Sequence, residues 1–338
     1  DSEGPAVVLA SGDPGYFGIV RSLRERGARV AVLPAVSSVQ RLVAAAGRSW
    51  DDVAVVSAHG RELRPALNVC RARQAVVVLT APGAGPAELG QGLAGWRRTL
   101  VVAEDLGGAG ESVSTVDPAD AVVRRWREPN VVLCLADPDS VPARGWFAGG
   151  EPTPPVGGWA LPEKDFAHRD GMVTKSEVRA LALARLAPRP GTLVWDVGAG
   201  SGAVAIECAR MGAAVLAVER DPVQCVRIIA NASAHGAEVR VEESELHAVV
   251  GDLPRPDAVF VGGGGTDVVR VCARVGAQRV VVALAAVDRV GPARDALKEA
   301  GYAVEGVQLS AARLTELPDG SSRLAATNPV TIVWGVKR

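Results

Sequence analysis

One stretch constrains what this chain can fold into more than any other. Val194-Trp195-Asp196-Val197-Gly198-Ala199-Gly200-Ser201-Gly202 is an apolar strand that runs into three alternate glycines, and residues 203–211 after it have helical character. Glycine turns the backbone through conformations closed to other residues and leaves bare peptide for a ligand to lie on. In open α/β sheets that junction sits at the C-terminal edge, where ligands bind. The next strand-like run, 214–219, ends on Glu219, about 20 residues past the loop, where a carboxylate can accept hydrogen bonds from ribose hydroxyls. Loop and acid together read as a cradle for a nucleoside-bearing cofactor. Taken alone, Gly198-x-Gly200-x-x-Ala203 also satisfies a dinucleotide fingerprint, so an NAD(P)-dependent oxidoreductase stays open as an alternative.

The pattern around the cradle is α/β throughout. Ahead of it, β-branched runs at 6–9, 29–33, 54–56, 76–79, 99–103 and 131–135 alternate with helix-like stretches. Behind it, runs at 193–196, 214–219, 239–241, 258–261 and 279–284 alternate with helical segments and are followed by 304–309 and 330–336, which suits a doubly wound, Rossmann-like sheet. Residues 148–164 form a Pro/Gly cluster that can continue neither a helix nor a central strand. The expected organisation is a domain over 1–147, a linker over 148–164 and a second domain over 165–338.

Bulk properties narrow the class of partner. The chain has 338 residues, 48% of them hydrophobic, enough for two buried cores. Its 37 basic and 38 acidic side chains leave a formal charge of −1, which calls for neither nucleic acid nor an anionic membrane. The apolar run 280–287 is far short of the ~20 residues that span a bilayer. The five cysteines, Cys70, Cys134, Cys208, Cys225 and Cys272, lie in apolar segments without a CxxC pair, which points to reduced, buried thiols, no metal site and a soluble cytoplasmic protein. The sequence opens at Asp1 rather than a methionine, so residues ahead of it are expected.

Several local features have plain structural readings. Thr174-Lys175-Ser176-Glu177 ahead of an apolar-periodic stretch has the spacing of a helix capping box. Gly262-Gly263-Gly264-Gly265 after the run 258–261 is a bare loop or turn at the sheet edge. Gly12-Asp13-Pro14 is a turn. His59 reads as a hydrogen-bonded structural histidine.

Taken together, however, the motifs resemble a known family, the decarboxylating precorrin-6Y C5,15-methyltransferases of cobalamin biosynthesis, a fusion of two methylases. The run Gly171-Met172-Val173-Thr174-Lys175-Ser176-Glu177-Val178-Arg179-Ala180 looks like the opening motif of their second domain. The segment from Asp196 to Gly202 resembles motif I of class I methyltransferases, which bind S-adenosylmethionine. Pro256-Asp257-Ala258-Val259-Phe260-Val261-Gly262-Gly263-Gly264 and Asn328-Pro329-Val330-Thr331 are similar to the fourth-strand and final-strand signatures. In the first half, Ala10-Ser11-Gly12-Asp13-Pro14-Gly15-Tyr16-Phe17-Gly18, Pro34-Ala35-Val36-Ser37-Ser38-Val39-Gln40 and Ser57-Ala58-His59-Gly60-Arg61 resemble three segments of tetrapyrrole methylases. Three departures accompany these matches. Ala35 stands where the family usually has glycine, Glu243-Ser244-Glu245 stands where "G-D-A" is common near the adenine, and Ala283 where an asparagine is common.

The resemblance implies an S-adenosylmethionine-dependent C-methyltransferase that methylates an acidic tetrapyrrole, precorrin-6B, at C5 and C15 and removes the C12 acetate carboxyl. It implies cofactor contacts from Thr174, Asp196, Gly198, Ala199, Gly200, Ser201, Gly202, Glu219, Ser244 and Glu245, and in the first half from Gly12, Asp13 and Pro14. Gly262, Gly263, Gly264 and His59 would line the substrate cleft, with Lys175 and Arg179 as partners for substrate carboxylates. It also implies a homo-oligomer assembled through the C-terminal domain. Tetrapyrrole methylases begin with a strand and glycine-rich loop ahead of their GDP segment, so the first site is expected to be incomplete here. A corrinoid-binding first half beside a single active C-terminal site is the matching alternative.

Overall fold

The computed structural model describes residues 6–138, 148, 157–169, 171 and 173–337. The chain divides into two compact units, Asp1–Glu151 and Pro152–Arg338. Residues 149–156 of the Pro/Gly segment expected to be a linker lie outside the described residues, as does Met172 of the opening motif, whereas residues 157–164 belong to the second unit, with Ala160 and Leu161 bonded to Glu207 and Glu163–Asp165 forming a 3-10 turn.

The first unit contains α1 (Val20–Glu25), α2 (Ser38–Ala45), β1 (Ala54–Ser57), α3 (Leu63–Ala72), β2 (Ala75–Leu79), α4 (Pro86–Gly92), β3 (Arg98–Glu104), β4 (Ser112–Val116), α5 (Pro118–Val123) and β5 (Asn130–Ala136). Its sheet has the order β1-β2-β5-β3-β4, with β1 parallel to β2 and every other pair antiparallel. Four of the six expected strands form. The runs at 6–9 and 29–33 do not: they carry β-branched residues but pair with no strand among the described residues, and Val7 and Leu9 are 90% and 92% exposed. Propensity makes a residue fit a ladder, and only a neighbouring strand supplies one. The strand β4 escaped notice because Ser112, Ser114 and Thr115 make its run look like a loop.

The second unit contains α6 (Ser176–Leu186), β6 (Leu193–Val197), α7 (Ala203–Arg210), β7 (Ala214–Glu219), α8 (Pro222–Ala234), β8 (Arg240–Glu243), α9 (Leu246–Val249), β9 (Ala258–Val261), α10 (Gly265–Arg274), β10 (Arg279–Leu284), α11 (Val290–Glu299), β11 (Tyr302–Leu309), β12 (Ala312–Glu316), β13 (Ser322–Ala326) and β14 (Val330–Lys337). Seven strands form one sheet in the order β11-β14-β10-β9-β6-β7-β8, parallel except for β14. Continuous runs such as Val280, Val281 and Val282 are buried because helices cover both faces of a parallel sheet. From α6, Val178, Ala182, Leu183 and Leu186 join Val194, Phe260, Val281, Ile332 and Trp334 in one core. β12 and β13 pair as a separate antiparallel ribbon whose mostly exposed residues gave no apolar period to read. The sheet reverses its direction of growth between β6 and β9, which creates a crevice at their C-terminal ends.

The capping box expected at Thr174 does not form. Lys175 is the N-cap and makes no side-chain cap, Glu163 Oε1 accepts from Ser176 N–H at 2.8 Å, and Glu177 is drawn to Arg313 instead. That arginine, on β12, bonds both Glu163 oxygens at 2.7 and 2.8 Å and both Glu177 oxygens at 2.6 and 2.9 Å, so it ties the ribbon to the start of α6. Its guanidinium pulls the Glu163 carboxyl down to about 2 and lowers that of Glu177.

Candidate functional site

The loop between β6 and α7 is built from positive-φ glycines, with Gly198, Gly200 and Gly202 at +68°, +56° and +76°. Each has a different surrounding. A Cβ on Gly198 would stand 2.8 Å from the N and Cα of Gly263, so this glycine permits direct backbone contact between the loops after β6 and β9. Gly262 N–H fastens that contact by donating to Val197 O at 2.9 Å. A Cβ on Gly202 would press on Ile228, whereas at Gly200 it would meet nothing within 4 Å. The loop is therefore packed at both ends and bare in the middle. Ser201 is buried, and its carbonyl accepts from Asn231 Nδ2, while Ala199 packs against the core.

Two carboxylates frame the loop. Asp196 is 1% exposed; its Oδ2 accepts from Ala205 N–H at 2.9 Å, and its Oδ1 has no hydrogen-bond partner among the described residues. Burial pushes its carboxyl up to about 7, against the pull of the Ala205 N–H and with help from the charge of Glu219. Glu219, at the end of β7, accepts from Gly200 N–H at 2.9 Å through Oε2 and from Arg220 and Asp221 N–H through Oε1. The acid and the glycine loop are thus joined directly. Ser244 N–H donates to Glu219 O at 3.0 Å, so the expected adenine-side segment lies against the same acid, while Glu245 is exposed and pairs with Arg220.

The cation assignments separate. Lys175 is half-buried, with Nζ 3.3 Å from Gly171 O. Arg179 is not available to a substrate, which corrects the expectation. It is 0% exposed, and its guanidinium bonds Glu207, Thr174 O and Leu161 O above the ring of Phe166. Glu207 also accepts from Ala160 and Leu161 N–H, so this buried pair clamps the segment ahead of α6 onto α7. Helical spacing placed Arg179 correctly on α6 but could not show that Glu207 waits inside. Thr174 contributes its carbonyl to that clamp.

In the first unit, the three resembling segments converge. The Asp13 carboxylate accepts from Gly15 N–H at 2.8 Å and from Ala35 N–H at 3.3 Å, so Gly12, Asp13 and Pro14 are tied to the segment before α2. Ser37 caps α2 in a full capping box with Gln40. Arg61 lies over the ring of Phe17 at 5.9 Å, while His59 is exposed in the turn after β1.

A cavity of about 250 Å³ opens beside the four-glycine loop, between the ends of β9 and β10. Val261, Val282, Ala283 and Ala293 give it apolar walls, and Thr266 and Arg289 add polar groups. No spacing in the sequence signalled Arg289.

A bare glycine stretch at the crevice, a buried acid with an orphaned oxygen and a second acid at the end of the adjacent strand fit a cationic, ribose-bearing ligand such as S-adenosylmethionine. With this strand order they define a class I methyltransferase domain. Residues 165–331 match the precorrin methyltransferase domain, and residues 2–121 match the tetrapyrrole (corrin/porphyrin) methylases. Through its second unit the chain belongs to the precorrin methyltransferase family. It is 39% identical over 274 residues to a decarboxylating precorrin-6Y C(5,15)-methyltransferase from Sinorhizobium sp., an alignment covering 78% of this chain and 63% of that one. It is 32% identical over 184 residues to a probable decarboxylating cobalt-precorrin-6B C(15)-methyltransferase of Pyrobaculum aerophilum, covering 51% of this chain and 93% of that one. The crystal structure of a precorrin-6Y C5,15-methyltransferase from Geobacter metallireducens superposes with a TM-score of 0.50 at 28% identity, covering 53% of this chain and 97% of that one. The chain spans slightly less than two thirds of the length of its fused relatives.

Proposed function

We propose that the second unit methylates C15 of a precorrin and removes the C12 acetate carboxyl as carbon dioxide, and that the first unit belongs to the C5-methylating step. The observation that carries the reading is the Glu219–Gly200 bond at the switch point, which sets an acid and bare peptide side by side where a nucleoside can lie. S-adenosylmethionine supplies an already activated methyl group, so the chain's task is placement and exclusion of water rather than strong base catalysis. Glu219 has four lone-pair directions and three are engaged by backbone N–H groups. One direction is left for a ribose hydroxyl, and gripping both would require one of these N–H groups to give up its place. Asp196 would answer the ligand's positive charge, and Gly198, Ala199, Ser201 and Gly202 shape the loop. Ser244 and Glu245 flank the adenine side, and Thr174 supports the opposite end. Gly262, Gly263 and Gly264 face the substrate, with Lys175 at the margin. In the first unit, Gly12, Asp13, Pro14 and His59 form the corresponding cluster.

Calorimetric titration with adenosylhomocysteine and with NADH separates this reading from the oxidoreductase, with heat expected from the first alone. Mass spectrometry of a reduced tetrapyrrole after incubation with S-adenosylmethionine then counts methyls gained and carbon dioxide lost. Heat from NADH alone would overturn the proposal.

A further inference from the structure

The cavity between β9 and β10 supports a more specific assignment, which rests on the methyltransferase reading of the neighbouring loop. We propose that it is a subsite for one short carboxylated side chain of the substrate, with Arg289 as the ion-pair partner. Position is the first argument. In the order β10-β9-β6-β7, Glu219 lies on one side of β6 and the cavity on the other, so a nucleoside held by Glu219 leaves the cavity to a second molecule. Gly263 forms part of the cavity wall and touches Gly198 in the cofactor loop, so the two sites share a boundary of bare backbone.

Size and chemistry supply the second argument. About 250 Å³ is below the roughly 300–1,000 Å³ of pockets that engulf a whole small molecule, so it takes one arm of a larger ligand. The valine and alanine walls suit methylene groups, and they offer nothing to an ammonium group. The exposed Arg289 side chain lines the cavity and has no hydrogen-bond or ion-pair partner among the described residues; only its backbone N–H is engaged, by Ala286 O. Among the described residues that line the cavity, Arg289 is the charged one. An acetate or propionate arm combines an apolar stem with a planar anion, and a guanidinium receives that anion with two parallel hydrogen bonds.

The same carboxylate chemistry could come from the amino-acid end of the cofactor, and the test distinguishes the two. Affinities of the full chain and of R289A, R289K and A286W are measured for uroporphyrin, an eight-carboxylate tetrapyrrole, by fluorescence, and for adenosylhomocysteine by calorimetry. R289A is expected to weaken uroporphyrin binding about tenfold, R289K to recover part of the loss, and A286W, which narrows the cavity, to weaken it as well. All three should keep adenosylhomocysteine affinity. Unchanged uroporphyrin affinity in R289A overturns the subsite, as does a wild-type chain that does not bind uroporphyrin. A loss confined to adenosylhomocysteine assigns Arg289 to the cofactor and also overturns it, and a parallel loss of both ligands counts against it. If the wild-type chain fails to bind adenosylhomocysteine, the reading of the glycine loop fails, and the uroporphyrin titrations still decide the cavity.

Discussion

The carboxyl of Asp196 shows how one residue couples the fold to its chemistry. A carboxyl raised to about 7 inside the protein, but titrating near 4 in the unfolded chain, keeps its proton longer in the folded state. Folding therefore loses stability as pH rises from about 4 to 7 and is unaffected by this group above that range, a change on the order of 4 kcal/mol. D196N cannot titrate, so its unfolding free energy, followed by urea denaturation from pH 4 to 8, should lack this component. Parallel wild-type and D196N curves would show that the acid is not held neutral. Arg179 is the opposite case, a charge fully paired indoors. R179A strands the Glu207 carboxylate among α6 and α7, and about 3–5 kcal/mol of stability should be lost. The urea midpoint reads this directly. A variant with normal stability and a raised KM for the tetrapyrrole would instead restore the substrate role expected from the sequence.

At the scale of elements, the site depends on two loops that touch without side chains. In G198A the new methyl meets Gly263 backbone at 2.8 Å and the residue must also hold φ near +68°. The positive φ alone costs about 1–2 kcal/mol, and displacement of the β9 loop should remove adenosylhomocysteine binding in calorimetry while far-UV circular dichroism stays native. Full affinity in G198A would mean that the loops need not meet. These elements also show what was legible. All seven strands of the second sheet, the glycine loop and Glu219 could be read in the sequence because a buried parallel strand and a positive-φ turn each leave a local signature. The runs at 6–9 and 29–33 carry the same signature without forming strands, since pairing depends on a neighbour distant in sequence. The Thr174 cap failed for a related reason: Arg313, 136 residues beyond Glu177, takes the glutamate that the local pattern assigned to the cap. Arg289 and its cavity were not legible, because a cavity is made by the ends of two strands and has no spacing of its own.

At the scale of the whole molecule, the β12–β13 ribbon raises the question of assembly. Leu314 and Leu324 face each other across it and are 77% and 65% exposed, although Arg313 beside them is fixed to Glu163 and Glu177. An isolated two-stranded ribbon is marginal in water, and a contact with a second copy would take its exposed paired leucines out of solvent. Self-association through these ribbons is the testable expectation. The double variant L314D/L324D alters no residue of the Arg313 network or of the glycine loop, so each unit should still fold. Sedimentation velocity should then show a concentration-dependent oligomer for the wild-type chain and a monomer for the variant, with adenosylhomocysteine affinity retained by both. A wild-type chain that sediments as a monomer across the micromolar range would remove the ribbon from any role in assembly and leave its leucines unexplained by self-association.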